Sequence, residues 1–426
     1  MTGTTAPAWR RHLPELLAHI ADRAATVDGG AAGPPAAAAD GVAAGMTGSQ
    51  AATTDGLAAG PTGSPAARAG GGVTGPPAAY LGGGGVSDPC GLLRDLGRRE
   101  LLALDAGPGD TGVTEVAQLI ELIAAECLSS AFSFWAHRMV IEYLREAGRD
   151  TPLGLLRAGL AAGTEVGSTA MAAALQEMSG MRTVPVVATP HAGGFRLDGP
   201  IRWASNLVPG AAVVLPARIG DGSERIVAVV RVGDPGVTVA PPKRLLALNA
   251  TASSSITLSA ARVDAAHVVT DDLAAFVRRA RPVLLLLQTA FCLGLAGRAT
   301  DETRGIIKGE GAVLGPDLEE LTAGLAGVAE QARRAQRAPA AADPHEVTRL
   351  RYDAAQLTLA ATRLEATASG GRGYATDSPV NRRLREAAFL PVQSPSETQL
   401  RWELGRAGKD VHRSGLPVLP VLDGQR

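Results

Sequence analysis

The residue types and spacings best suited to chemistry fall in a few short stretches. Gly370-Gly371-Arg372-Gly373-Tyr374 is glycine-dense, and without a Cβ a backbone can approach a ligand or another segment closely. A plain turn between two helices would use glycines as well. Gly163-Thr164-Glu165-Val166-Gly167-Ser168-Thr169 is a second loop of glycines and hydroxyls. Leu197-Asp198-Gly199-Pro200-Ile201-Arg202-Trp203-Ala204-Ser205-Asn206 reads as a hairpin carrying one tryptophan, which an ordinary hairpin would bury. Near the C-terminus, Val392-Gln393-Ser394-Pro395-Ser396-Glu397 ends in a carboxylate able to move a proton. The seven histidines are scattered, none at the spacing of a metal-binding helix. No G-x-S-x-G elbow or phosphate-binding P-loop occurs in the sequence. Arg333, Arg334 and Arg337 read as a solvated helix end.

Composition narrows the partners. Lys plus Arg number 41 and Asp plus Glu 42, a formal charge of −1, which gives no electrostatic case for nucleic acid or an anionic membrane. Cys90, Cys127 and Cys292 are far apart and odd in number, fitting a reducing cytosol better than an exported disulfide scaffold. The first residues lack the apolar run of a signal peptide, so a cytoplasmic protein is expected. The most apolar stretch, 282–297, contains Gln288 and is shorter than the roughly 20 residues of a membrane span. It predicts a helix buried in protein.

The elements that must position these stretches follow from periodicity. Residues 1–27 hold one N-terminal helix, with Leu13, Leu16, Leu17 and Ile20 on one side. Residues 28–87 are a low-complexity run of Ala, Gly, Pro, Ser and Thr, with too few large apolar side chains to offset the entropy of ordering. A flexible insertion is expected there. Residues 88–160 form an N-terminal helical domain, in which Leu119, Ile120, Ile123, Cys127 and Phe134 keep to one face of a long helix. Short Val-, Ile- and Thr-rich segments separated by Gly, Asp and Pro mark 161–270 as an antiparallel β domain. Residues 271–426 form a C-terminal helical bundle, with helices from Leu273, after Gly315-Pro316-Asp317, and from a capping Asp343-Pro344 with Glu346 completing the box. The fold class is α+β: helices, β domain, helices.

This order, together with the three stretches, resembles the acyl-CoA dehydrogenase superfamily of flavoproteins over roughly residues 88–410. The hairpin is similar to the family's LNG-x-K-x-W-I-[TS]-N, and the resemblance gives Trp203 the isoalloxazine face and Ser205 the flavin N5 edge. The run from Gly370 to Ala387 looks like the family's GG-x-GY-x-x-[DE]-x-PV-x-R-x-[LM]-R-[DE]-A, which implies that Gly370, Gly371 and Gly373 lie against the FAD phosphates and adenine, partly of a neighbouring subunit. Thr164, Glu165 and Gly167 fit the family's TEP-G-x-GSD loop around the flavin, although its end has become Ser-Thr-Ala. FAD, an acyl thioester or other small substrate, and a homodimer or tetramer are thereby implied; the electron acceptor is not.

The chain departs from the family pattern where the chemistry is done. Gln393 falls where the family places its catalytic glutamate, in a segment like Y-E-G-T-S-E. An amide cannot accept the substrate α-proton, and a general base typically contributes about 10²–10⁴-fold in rate. The alternative glutamate position of some members is Ala280, before Arg281-Pro282. Glu397 is the nearest replacement base, though the family carries a glutamate there too. Where the family has R-x-x-FG reaching the FAD pyrophosphate, this chain has Thr300 to Pro316, with Arg304 or Lys308 as the available cations. The expected function is an FAD-dependent oxidoreductase passing hydride to flavin N5, either desaturating an acyl thioester on CoA or a carrier protein or oxidising a related small substrate. The alternatives are a non-catalytic subunit of a mixed oligomer and a flavin monooxygenase on the same fold.

Overall fold

A computed structural model describes residues 8–27, 89–105 and 112–408; the low-complexity stretch 28–87 lies outside the described residues. A 3₁₀ turn, Ala8–His12, leads into α1 (Leu13–Val27), whose Leu13, Leu16 and Ile20 are buried. α2 (Pro89–Arg98), α3 (Thr114–Glu126), α4 (Leu128–Tyr143) and α5 (Pro152–Ala162) follow.

The single long helix expected through Val116 to Phe134 is two. Cys127 is extended (φ −157°, ψ 112°) between α3 and α4, and its Sγ accepts from the Ser130 amide. The Leu128 amide, an orphan donor at the new helix start, is bonded by the Glu386 carboxylate at 3.2 Å. That partner is 258 residues away, so local periodicity carries no trace of the break. α4 is buried on all sides, which is why its pattern reads as continuous.

The β domain is present, and its sheet is mixed rather than wholly antiparallel. β1 (Gly167–Thr169) and β2 (Val187–His191) pair in parallel with β4 (Ala212–Ile219). β3 (Gly194–Ala204), β5 (Arg225–Arg231), β6 (Val237–Val239), β7 (Ser254–Asp264) and β8 (Val268–Thr270) pair antiparallel, in the order β6-β7-β3-β2-β4-β5-β8. Successive residues of a strand face opposite ways. Accordingly Ala212 and Val214 of β4 join the helical core, while Val213, Leu215 and Ala217 join a second core enclosed by the sheet with Ile256 and Leu258. A short helix, α6 (Ala172–Met178), interrupts the β sequence after β1.

α7 (Leu273–Ile306) is among the described residues the one helix long and apolar enough to cross a membrane, and 89% of that window is buried in the protein. It is the core helix of the bundle, packed on α3, α4 and α9 (Pro344–Ser369). α8 (Gly315–Gln336) completes the long helices. Asp343 caps α9 by accepting from the His345 amide, with Pro344 at the first turn. Short helices α10 (Gly371–Tyr374), α11 (Pro379–Ala387) and α12 (Glu397–Arg406) close the chain back over α9.

Candidate functional site

Asn206 joins two of the three stretches. It leaves β3 in the left-handed region (φ 59°), which asparagine tolerates better than most residues. Its Nδ2 donates to Ser133 O of α4 at 2.9 Å and to Gly167 O of β1 at 3.1 Å, fully buried. The Gly167 amide in turn donates to His137 Nδ1 at 3.0 Å, and His137 Nε2 donates to Leu160 O at 2.9 Å. Burial pushes the His137 pKa down to about 4, so the ring is neutral and its tautomer is set by these two bonds. Asn206 is the last residue of the hairpin stretch, whereas His137 stands out by no motif, because its partners are backbone groups of other elements.

This bracing fixes where Trp203 and Ser205 sit. Trp203 is 50% exposed, with Lys243 Nζ 5.0 Å from its ring centroid. A hairpin tryptophan kept only for packing would be covered. Ser205 Oγ lies 2.7 Å from Ser253 Oγ, which lies 2.6 Å from Thr251 Oγ1, and Thr251 Oγ1 donates to Leu248 O. A carbonyl only accepts, so the hydroxyl hydrogens run inward from Ser205 through Ser253 and Thr251. Ser205 thus donates to Ser253 and keeps its lone pairs free to accept. Thr164 is exposed at the end of α5, donating to Gly159 O, and Glu165 is paired with Arg231 at 2.7 Å. Gly167 has a packing reason of its own: a Cβ there would meet Val140 Cβ at 2.9 Å.

The glycine run separates into different roles. Gly370 has φ 59° and ψ −146°, reachable only without a side chain. A Cβ on Gly373 would lie 2.8 Å from Ser369 Cβ. Gly371 is different, since a Cβ there would meet nothing within 4 Å. Its open space faces no part of its own described chain. The loop packs on α9 and α11. Arg304 pairs with Asp301 at 2.7 Å on the exposed end of α7.

Gln393, where the sequence resemblance expects a base, is 4% exposed and its Oε1 accepts from Arg351 Nη2 at 2.9 Å. Arg351 is buried on α9 and also binds Gln288 Oε1 and Leu390 O. Ala280 lines a small cavity with Tyr143, Met171, Leu175, Phe276 and Arg281, a wall that holds no carboxylate to take a proton. Burial raises the pKa of that tyrosine, which bonds Thr169 Oγ1 at 3.1 Å. Glu397 opens α12; its carboxylate binds Gln356 Nε2 at 3.1 Å and Arg401 at 3.3 Å. These contacts tie α12 to α9 and leave its side chain 27% exposed. An aromatic, phosphate-bearing cofactor fits the residues present in part: an open indole face beside a cation, a buried Ser168 Oγ without a protein partner, and the unfilled space at Gly371.

No protein-family model matches the chain, and no curated protein matches its sequence. Solved structures do. The glutaryl-coenzyme A dehydrogenase in complex with glutaryl-CoA superposes with TM-score 0.67 at 16% identity, over 74% of this chain and 87% of that one. Butyryl-CoA dehydrogenase from Megasphaera elsdenii gives 0.65 at 15%, over 75% and 97%. A protein for biosynthesis of the methoxymalonyl extender unit of a polyketide immunosuppressant gives 0.63 at 18%, over 76% and 93%. The chain has the acyl-CoA dehydrogenase superfamily fold.

Proposed function

We propose that the protein is an FAD-dependent oxidoreductase in which a small substrate passes hydride to the flavin. The observation that carries this reading is the braced pair Trp203 and Ser205, an exposed indole and a hydroxyl held beside β1 by Asn206. Trp203 and Ser205 would hold the isoalloxazine, Thr164 and Gly167 its neighbouring loop, and Gly370, Gly371 and Gly373 the adenosine end across a subunit contact. The bound FAD would supply the two-electron acceptor. Within this reading the substrate is an acyl thioester or a related small molecule, and the protein is a cytoplasmic homodimer or tetramer.

The proton is the open part of the chemistry. Gln393 cannot accept one and is engaged by Arg351, and Ala280 has no acid. Glu397 remains the only carboxylate proposed for that role. It is paired with Gln356 and Arg401, and its position at the start of α12 serves the helix as well. A substrate that releases hydride without losing a proton from carbon, such as an amine, would not need it.

Visible absorption of the purified protein, before and after anaerobic addition of a panel of acyl thioesters and, separately, of amines, tests the reading. Bound flavin that bleaches is the expected result for a thioester dehydrogenase. Bound flavin that bleaches only with amines assigns the other substrate class. The engaged Gln393 favours a second reading, a non-catalytic subunit completing the site of a partner; failure to bind FAD even after soaking would replace the first reading with that one.

A further inference from the structure

Arg351 presents an electrostatic imbalance that the flavin reading does not use. Its guanidinium is fully buried, and its acceptors are Gln288 Oε1 at 3.1 Å, Leu390 O at 3.1 Å and Gln393 Oε1 at 2.9 Å. All three are neutral. Burial lowers the guanidinium pKa, and the group acting in the opposite sense is the Cys292 thiol, itself pushed up by burial and so uncharged. Arginine nonetheless stays protonated, and a buried charge without a counter-charge is costly.

The donors around it are incomplete as well. Among the described residues, Arg351 Nη1, Gln393 Nε2 and Ser394 Oγ are buried with no partner. Nη1 shares a carbon with Nη2, and Nε2 shares a carbon with Oε1, so these two orphans flank one hydrogen bond. Turning the Gln393 amide over would set its NH₂ against the guanidinium. Gln288 cannot help, because its Nε2 already donates to Ser394 O at 2.9 Å. What is missing is an acceptor bearing negative charge, whereas water would satisfy the donors and leave the charge.

We propose that Arg351, Gln393 and Ser394 form a buried anion site that takes one small monovalent anion, a halide or the carboxylate of a ligand, between Arg351 Nη1 and Gln393 Nε2. The site lies beneath the segment joining α11 to α12, on which Val392, next to Gln393, is exposed. The site stands whether or not FAD binds.

Crystals of the full chain soaked in sodium bromide, and melting curves of wild type and Gln393→Glu in the same salts, test it. The expected result is an anomalous bromide peak beside Arg351 Nη1 and a rise in wild-type Tm that grows with the logarithm of bromide concentration above Kd, reaching roughly 2–4 °C at about 100 Kd. Gln393→Glu carries its own counter-charge, so its Tm should not respond and should match or exceed that of anion-free wild type. Formate displacing the bromide would assign the site to a ligand carboxylate, and bromide bound against excess formate would assign it to inorganic halide. Absence of the peak, or an equal salt response in both proteins, overturns the proposal; if the variant does not fold, the peak alone decides.

Discussion

Trp203 is a residue on which the cofactor reading can be tested with modest disturbance to the fold. Half of it is solvent-exposed, so Trp203→Ala should cost only about 1–2 kcal/mol of unfolding free energy, less than a core tryptophan would. Aromatic stacking is worth about 0.5–1.5 kcal/mol, so FAD titrated by fluorescence quenching should bind roughly 3–10-fold more weakly. His137 makes a different prediction. Its folded pKa, about 4, lies below the ordinary value of 6.5, so the unfolded chain binds the extra proton first. Its contribution is therefore complete above pH 6.5 and is lost as pH falls towards 4. The magnitude is on the order of 3 kcal/mol. Urea unfolding from pH 7 to 4 should show this slope in wild type and a shallower one in His137→Gln.

Elements are joined here by side chains acting on distant backbone. The glycine run gives the sharpest contrast at this scale, because Gly371 and Gly373 sit in one short helix yet differ in surroundings. Gly373→Ala would force a contact with Ser369 Cβ and should cost roughly 1–3 kcal/mol. Gly371→Ala meets nothing and should leave thermal unfolding within about 0.5 kcal/mol of wild type. If α10 receives the cofactor of a neighbouring subunit, Gly371→Ala will still weaken FAD binding. Unchanged FAD affinity in that variant would remove α10 from the site.

For the whole molecule, the proposed sharing of FAD between subunits links assembly to cofactor. Size-exclusion chromatography with light scattering should show a dimer or tetramer whose dissociation on dilution is suppressed by FAD, since a ligand held by both subunits stabilises only the assembled state. A monomer that binds FAD without assembling would remove the shared site. Much of this architecture was legible in the chain. Val-, Ile- and Thr-rich segments between Gly, Asp and Pro marked the strands, Asp343-Pro344 marked a helix start, and the apolar 282–297 marked the core helix, because composition, cap and burial are local properties. The break at Cys127 was not legible, since it depends on Glu386 far along the chain. Nor was the parallel pairing of β1 and β2 with β4, because a strand's own alternation does not say which way its neighbour runs. By itself the sequence determined that Gln393 and Ala280 are not bases, as side-chain chemistry needs no coordinates. Only the tertiary structure decided that Gln393 is held by a buried arginine and that Trp203 stays open, because both depend on which distant residues the fold brings within a few ångströms.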